Sequence, residues 1–205
     1  MNFSSKLIQD STDQLASLPG IGRKTALRLV LHLIKQDKKS VEEFGRSFIQ
    51  LINEINYCKK CYAISDIDLC EICSDEKRDS NILCVVEDIR VMMAIESSMQ
   101  YKGLYHVLGG LISPMDGISP SELTIEDLIE KVYQGHFQEI IFALSTTMEG
   151  DTTNYYLFKK LKDSGVKISS IARGISIGDD LEYADEITLG TAISSRLPYE
   201  NSLAK

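Results

Sequence analysis

The sequence predicts an α+β chain of several parts: a small helical domain, a short cysteine-rich loop, and an α/β domain with a mainly parallel sheet. Three observations carry that prediction. Two C-x-x-C pairs, Cys58-Lys-Lys-Cys61 and Cys70-Glu-Ile-Cys73, stand eight residues apart and divide the chain. Before them, apolar residues recur at helical spacing on either side of Leu18-Pro-Gly-Ile-Gly22. After them, short Val- and Ile-rich runs alternate with helical patterns, as in a parallel sheet covered on both faces. The 205 residues suffice for one good-sized domain and a small one.

Composition narrows the class. Hydrophobic content of 43% and charged content of 25% are those of a soluble globular protein. No apolar run approaches the roughly 20 residues of a membrane helix, and the first residues lack a basic segment followed by an apolar core. A cytoplasmic protein with no membrane contact is expected. The net charge of −8 is unevenly spread. Residues 1–57 hold eight Lys and Arg against six Asp and Glu, whereas residues 58–205 hold fourteen against twenty-four. Phosphate is repelled by an acidic surface, so any nucleic acid is expected at the front of the chain.

In the front part, Leu7 to Leu15 reads as a short helix that Pro19 and Gly20 end. Gly22 allows a tight turn, and a second helix is expected from about Arg23 towards Lys35, burying Leu27, Val30, Leu31 and Ile34. This is a helix-hairpin-helix pattern. Its glycines let the backbone approach a phosphate, and the N–H groups at the helix start point at it. Gly20, Gly22, Arg23, Lys24 and Arg28 are the DNA-binding candidates, with Lys24 and Arg28 four apart on one face. Such a grip on the sugar-phosphate backbone reads no base sequence. A glycine-containing turn between two packed helices would look the same; the local basic surplus favours DNA. Ser40-Val-Glu-Glu43 has the form of a capping box. The helix it opens is expected to reach about Asn53 and to bury Val41, Phe44, Phe48, Leu51, Ile52 and Ile55.

The paired C-x-x-C spacing places four thiolates where one Zn²⁺ can gather them tetrahedrally. Tyr62 to Leu69 is too short for a core of its own, so metal binding would supply the folding free energy of the loop. Two disulfides or four inert thiols are the alternatives, and a chain without secretory features disfavours disulfides. With Cys58, Cys61, Cys70 and Cys73 all bound, no coordination position stays open, so the metal is structural. Cys84, within Ile82-Leu-Cys-Val-Val86, reads as a small buried hydrophobe.

Strand-like runs follow at Ile82–Val86, Tyr105–Leu108, Glu139–Leu144, Val166–Ala172 and Glu186–Leu189. Helical patterns run from Val91 to Met99, Thr124 to Tyr133 and Thr152 to Asp163. Ligands of such folds collect beyond the carboxyl ends of the strands. Glu87 follows the first run and Ser145-Thr-Thr-Met-Glu149-Gly-Asp151 the third, so Glu87, Glu149 and Asp151 could converge on one acidic pocket. Three carboxylates suit a weakly held Mg²⁺; equally, Asp151 could simply cap the helix from Thr152. His32, His106 and His136 are not at ligand spacing and read as structural. There is no nucleophile–base pair, so no catalytic residue is assigned.

Taken together, the Leu-Pro-Gly-Ile-Gly hairpin, the four-cysteine loop, Gly109-Gly-Leu-Ile-Ser-Pro-Met-Asp-Gly-Ile118, Ala172-Arg-Gly174 and Asp180-Leu-Glu-Tyr-Ala-Asp-Glu186 resemble the bacterial RecR family over nearly the whole chain. The resemblance implies a helix-hairpin-helix domain over 1–56, a four-cysteine zinc loop over 57–76, a Toprim-like domain over 80–174, and a C-terminal segment, 175–205, that completes the sheet and is exchanged between subunits. It implies a non-enzymatic clamp on single- and double-stranded DNA in recombinational repair. That clamp acts with RecO, and in some settings RecF, to load RecA on single-stranded DNA. It implies a homo-oligomer, a tetrameric ring or a dimer, found in the cytoplasm and at the nucleoid when on DNA. The family's hairpin cations carry over to Lys24 and Arg28, and its acidic RecO-contacting positions to Glu87, Glu149 and Asp151. Where the family has Pro and then Asp after the first Glu, this chain has Ile89 and Val91; Ser145-Thr-Thr147 replaces Asn-Pro-Thr, and Gly178-Asp-Asp180 replaces Gly-Gly-Asp. The lost acid at Val91 weakens metal chemistry there. The competing class is a Mg²⁺-dependent Toprim enzyme acting on DNA phosphodiesters, which would need a transesterification domain or activated nucleophile that the sequence does not display.

Overall fold

The computed structural model describes residues 5–196 and residue 198, and the chain divides into two units, Met1–Ile55 and Asn56–Lys205. In the first, α1 (Lys6–Ala16) and α2 (Arg23–Ile34) form an antiparallel pair, followed by α3 (Lys38–Glu54). Leu18-Pro19-Gly20 breaks the chain between α1 and α2, and Gly20 adopts φ +79°, a left-handed conformation costly to any residue with a Cβ. The Ile21 N–H closes this turn on the Leu18 carbonyl at 3.1 Å. The pair is held by small buried side chains, Ala26 and Val30 from α2 and Thr12 from α1, whose hydroxyl donates to the Ile8 carbonyl at 2.7 Å.

Two expectations need correction here. Of the four apolar positions of α2, Val30 is buried and Leu27 partly so, but Leu31 and Ile34 are exposed, because the contact runs along Ala26 and Val30. Helix α3 starts two residues before Ser40, with Asp37 as its N-cap accepting from the Ser40 N–H at 3.0 Å. Its apolar stripe is largely uncovered: Phe44, Phe48, Ile49, Leu51 and Ile52 are 49–75% exposed, and Val41 and Ile55 are only half-buried.

The second unit opens with a hairpin of β1 (Asn56–Tyr57) and β2 (Ile64–Ser65) and the single turn α4 (Glu71–Ser74). There follow β3 (Asp79–Val86), α5 (Ile89–Ser97), β4 (Gly103–Val107), α6 (Ile125–Gln134), β5 (Glu139–Ala143), α7 (Met148–Leu161), β6 (Lys167–Ser170) and α8 (Glu186–Ser194). The four strands β3 to β6 form one parallel sheet in the order β4-β3-β5-β6. Alternation along β3 assigns its two faces. Leu83 and Val85 pack with Leu128, Val132, Leu157 and Leu161 of α6 and α7. Cys84 and Val86 pack on the other face with Met92 of α5 and with Cys58, Cys61 and Ala63 of the cysteine loop. The loop therefore covers one face of the sheet rather than standing off it. Cys84 is buried as expected, and burial pushes its thiol up to about 12.

The run Glu186–Leu189, read as strand-like, belongs to helix α8, which Asp185 caps through the Ile187 and Thr188 N–H groups. That cap decides the matter against a short run with no partner strand. Among the described residues, 175–196 adds no strand to the sheet. Part of the proposed exchange segment, residue 197 and residues 199–205, lies outside the described residues.

Helix α7 also starts earlier than its pattern suggests. Thr147 is its N-cap, accepting from the Gly150 N–H at 3.2 Å, so Asp151 lies within the helix and not at its cap. Gly150 permits this start: a Cβ there would lie 1.8 Å from the Ser145 carbonyl oxygen. Gly150→Ala should cost about 3 kcal/mol, since backbone must move. Thermal unfolding measures it, and an unchanged midpoint would show that the turn relaxes freely.

Candidate functional site

The cysteine set is the most complete site. The β1–β2 hairpin holds the first knuckle: the Cys58 N–H donates to the Ala63 carbonyl at 2.8 Å and the Tyr62 N–H to the Cys58 carbonyl at 2.9 Å. Cys70 is the N-cap of α4, which carries Cys73 one turn later. The four Sγ atoms of Cys58, Cys61, Cys70 and Cys73 lie within 4.8 Å of one another, and Cys61 and Cys70 approach to 3.5 Å. Zinc–thiolate bonds of about 2.3 Å set sulfur–sulfur edges of about 3.8 Å in a tetrahedron, so the set fits Zn²⁺. Among themselves the sulfurs favour one thiolate. Hydrogen bonding, chiefly from Cys73, pulls Cys61 down to about 5, while burial first and the Cys61 charge after it push Cys70 up to about 11. Cys73 is pushed up by its own hydrogen bond to Cys61. A divalent cation is what lets all four ionise together. Among the described residues this is the one gathering of three or more metal-ligating side chains.

The hairpin is the second feature. Gly22 precedes α2 without any side-chain cap, and no acidic residue of the helix occupies its first turn, so no side chain caps its first N–H groups. Lys24 and Arg28 line a shallow groove with Leu27, Leu31, His32 and Lys35. Arg23 differs, since its guanidinium is paired with Asp13 at 3.0 Å. The sequence reading missed Lys35, although its position, seven after Arg28, continues the stripe.

The acidic residues behave differently from expectation. Glu87 leaves β3 and accepts from the Ser145 N–H at 3.0 Å and its hydroxyl at 2.7 Å. Glu87 and Glu149 line one depression with Asp88, Arg90, Gly109 and Asp116. Beside it, the 109–118 loop is tied to α7 by the Ile112 N–H donating to the Thr153 hydroxyl at 2.9 Å. Asp151 is not there. Its carboxylate pairs with Arg173, which holds it below the usual carboxylate range, and lines a separate depression with Asn154, Tyr155 and Ser170. The reason is helical geometry: residues two apart on α7 point to different sides. Of the three carboxylates, Glu87 and Glu149 share a depression and Asp151 does not, so among the described residues these three do not form one set of oxygen donors for Mg²⁺.

His106 is structural, as read. It is buried in β4, with Nε2 2.9 Å from the Thr124 carbonyl, and burial pushes it down to about 3.

Comparison with known proteins gives four family matches. The chain matches the family described as RecR, helix-hairpin-helix over 8–51, the RecR four-cysteine zinc finger domain over 55–75, the Toprim domain over 81–172, and RecR, C-terminal over 174–196. It is 58% identical over 194 residues to Recombination protein RecR of Bacteroides thetaiotaomicron, covering 95% of each chain. It is 56% identical to that of Flavobacterium psychrophilum, covering 98% of each, and 53% identical to that of Amoebophilus asiaticus, covering 97% of this chain and 100% of that one. With a hairpin, a four-cysteine zinc centre and a Toprim domain in this order, and relatives matched from end to end, the chain belongs to the RecR family of recombination proteins.

Proposed function

We propose that the chain is a non-catalytic, sequence-independent DNA clamp of recombinational repair that acts with RecO, and in some settings RecF, to load RecA on single-stranded DNA. The observation that carries this reading is the uncapped start of α2 beside Lys24 and Arg28. Uncapped N–H groups and two cations on one face suit the phosphates of single- or double-stranded DNA. Gly20, Gly22 and Arg23 shape that contact.

The acidic rim suits a basic protein partner and repels phosphate. We assign Glu87 and Glu149 to RecO contact directly, with Asp151 contributing from its own depression through its pair with Arg173. The exposed apolar stripe of α3 supports a homo-oligomer, dimer or tetrameric ring, since a stripe of this kind normally covers a partner surface. The C-terminal segment is the second proposed contact. No helix among the described residues is long and apolar enough to cross a membrane, and we place the protein in the cytoplasm and at the nucleoid.

Glu149→Lys tests the division of labour. It should abolish RecO association at low salt, leaving DNA binding unchanged or slightly stronger. Unchanged RecO affinity would remove the assignment. Mg²⁺-dependent DNA cleavage that disappears in Glu87→Gln would replace the clamp with an enzyme.

A further inference from the structure

We propose that Lys131 is a positioning residue of the zinc centre, whose ammonium offsets the charge of the four bound thiolates and pins the first cysteine knuckle to the α/β domain. Zn²⁺ with four thiolates carries a net charge of about −2, and the site is packed into the apolar face of the sheet. A charge buried in this way needs a counter-charge or hydrogen-bond donors nearby.

Lys131 supplies both from α6. Its ammonium donates to the backbone carbonyl of Lys60, the residue directly before the ligand Cys61, and to Nδ1 of His106 at 3.0 Å. His106 is oriented for this. Its Nε2 lies 2.9 Å from both the Thr124 carbonyl, which can only accept, and the Thr124 hydroxyl, which donates to the Val107 carbonyl at 2.8 Å, so Nε2 carries the proton and Nδ1 presents its lone pair to Lys131. The tautomer is thus set by Thr124 and used by one ammonium. A second tie lies alongside, from the Val107 N–H to the Cys61 carbonyl at 2.8 Å.

The charge relation is equally specific. Burial pulls the Lys131 ammonium below the usual lysine range, and the negative charge of Cys61, Cys73 and Cys58, then of Asp127 on its own helix, works against that pull. Lys131 also lines one half-open depression with Lys60 and Cys73, so cation and ligand residue border the same space. Among the described residues, Lys131 forms no ion pair with a carboxylate. The cysteine set is thus the main opposing charge that Lys131 meets, with Asp127 after it.

The test is zinc affinity of the full chain by chelator competition, with thermal unfolding of the zinc-loaded and zinc-stripped proteins alongside. Lys131→Met keeps most of the apolar stem and removes the charge; its zinc dissociation constant should rise ten- to hundredfold, the range for outer-sphere partners of a metal site. Lys131→Gln, which is polar but uncharged, should behave like the Met variant, and Lys131→Arg should retain more affinity than either. The Met substitution should lower the unfolding midpoint less in the zinc-stripped protein than in the zinc-loaded one, because one thiolate in place of four then faces the ammonium. A Met or Gln variant that cannot be recovered folded with zinc, where the Arg variant can, also supports the proposal. Wild-type zinc affinity in the Met and Gln variants, or Arg no better than Gln, would overturn it.

Discussion

Cys61→Ser should lower zinc affinity by roughly a hundredfold or more and lower the stability of the second unit with it. Structural zinc in small Cys sites contributes about 10–16 kcal/mol of apparent binding free energy, and a quarter of even the lower figure is some 2.5 kcal/mol. The loss should run higher, because Cys61 is 1% exposed and its carbonyl accepts from Val107 in β4. The loop is not an appendage. Cys58, Cys61, Ala63 and Cys70 form part of the cluster covering Cys84, Val86 and Tyr105. Releasing it uncovers one face of the sheet to water, which costs about 25 cal/mol for each Å² of apolar surface. Metal content by elemental analysis, zinc affinity by chelator competition and thermal unfolding together check the expectation. Wild-type zinc affinity in the variant, or purified wild-type protein without stoichiometric metal, would refute it. Acid should mimic the substitution, since cysteine thiols must deprotonate to bind and zinc is lost as pH falls.

Lys24→Ala with Arg28→Ala should together weaken DNA binding by about a hundredfold, by similar factors on unrelated sequences. Two charge-assisted contacts of about 1.5 kcal/mol each account for that size. Both cations project from α2 free of acidic partners among the described residues, so each can release a counterion on meeting phosphate. The slope of log affinity against log salt should therefore flatten by about 0.9 for each phosphate lost on duplex DNA, and by about 0.7 on single strands. Arg23→Ala is the internal comparison. Its guanidinium is already paired with Asp13, so its removal should cost less than either of the others. Filter binding across a salt series reads both quantities. A double variant that binds normally, or a strong sequence preference in the wild type, would sink the hairpin assignment.

The sequence by itself determined the features that depend on a few neighbouring residues. Pro19, Gly20 and Gly22 settle a turn through their own backbone constraints, and two C-x-x-C pairs bring four sulfurs together at whatever angle the surrounding fold takes. The parallel sheet was legible because buried strands read as apolar runs of strand length. Tertiary structure alone decided what converges. Register pairs Val86 of β3 with Ala143 of β5, which sets Glu87 beside Ser145, and the early start of α7 then turns Glu149 to that rim and Asp151 to Arg173. Amphipathicity told which face of α3 is apolar but not that the chain leaves it exposed, since a pattern specifies a surface and not its cover. Likewise nothing near Lys131 in sequence announces a metal: residues 60, 106 and 131 meet only because α6 and the cysteine loop both lean on the end of β4. Contacts between distant segments depend on strand register, helix phase and layer packing, and these are properties of the assembled chain.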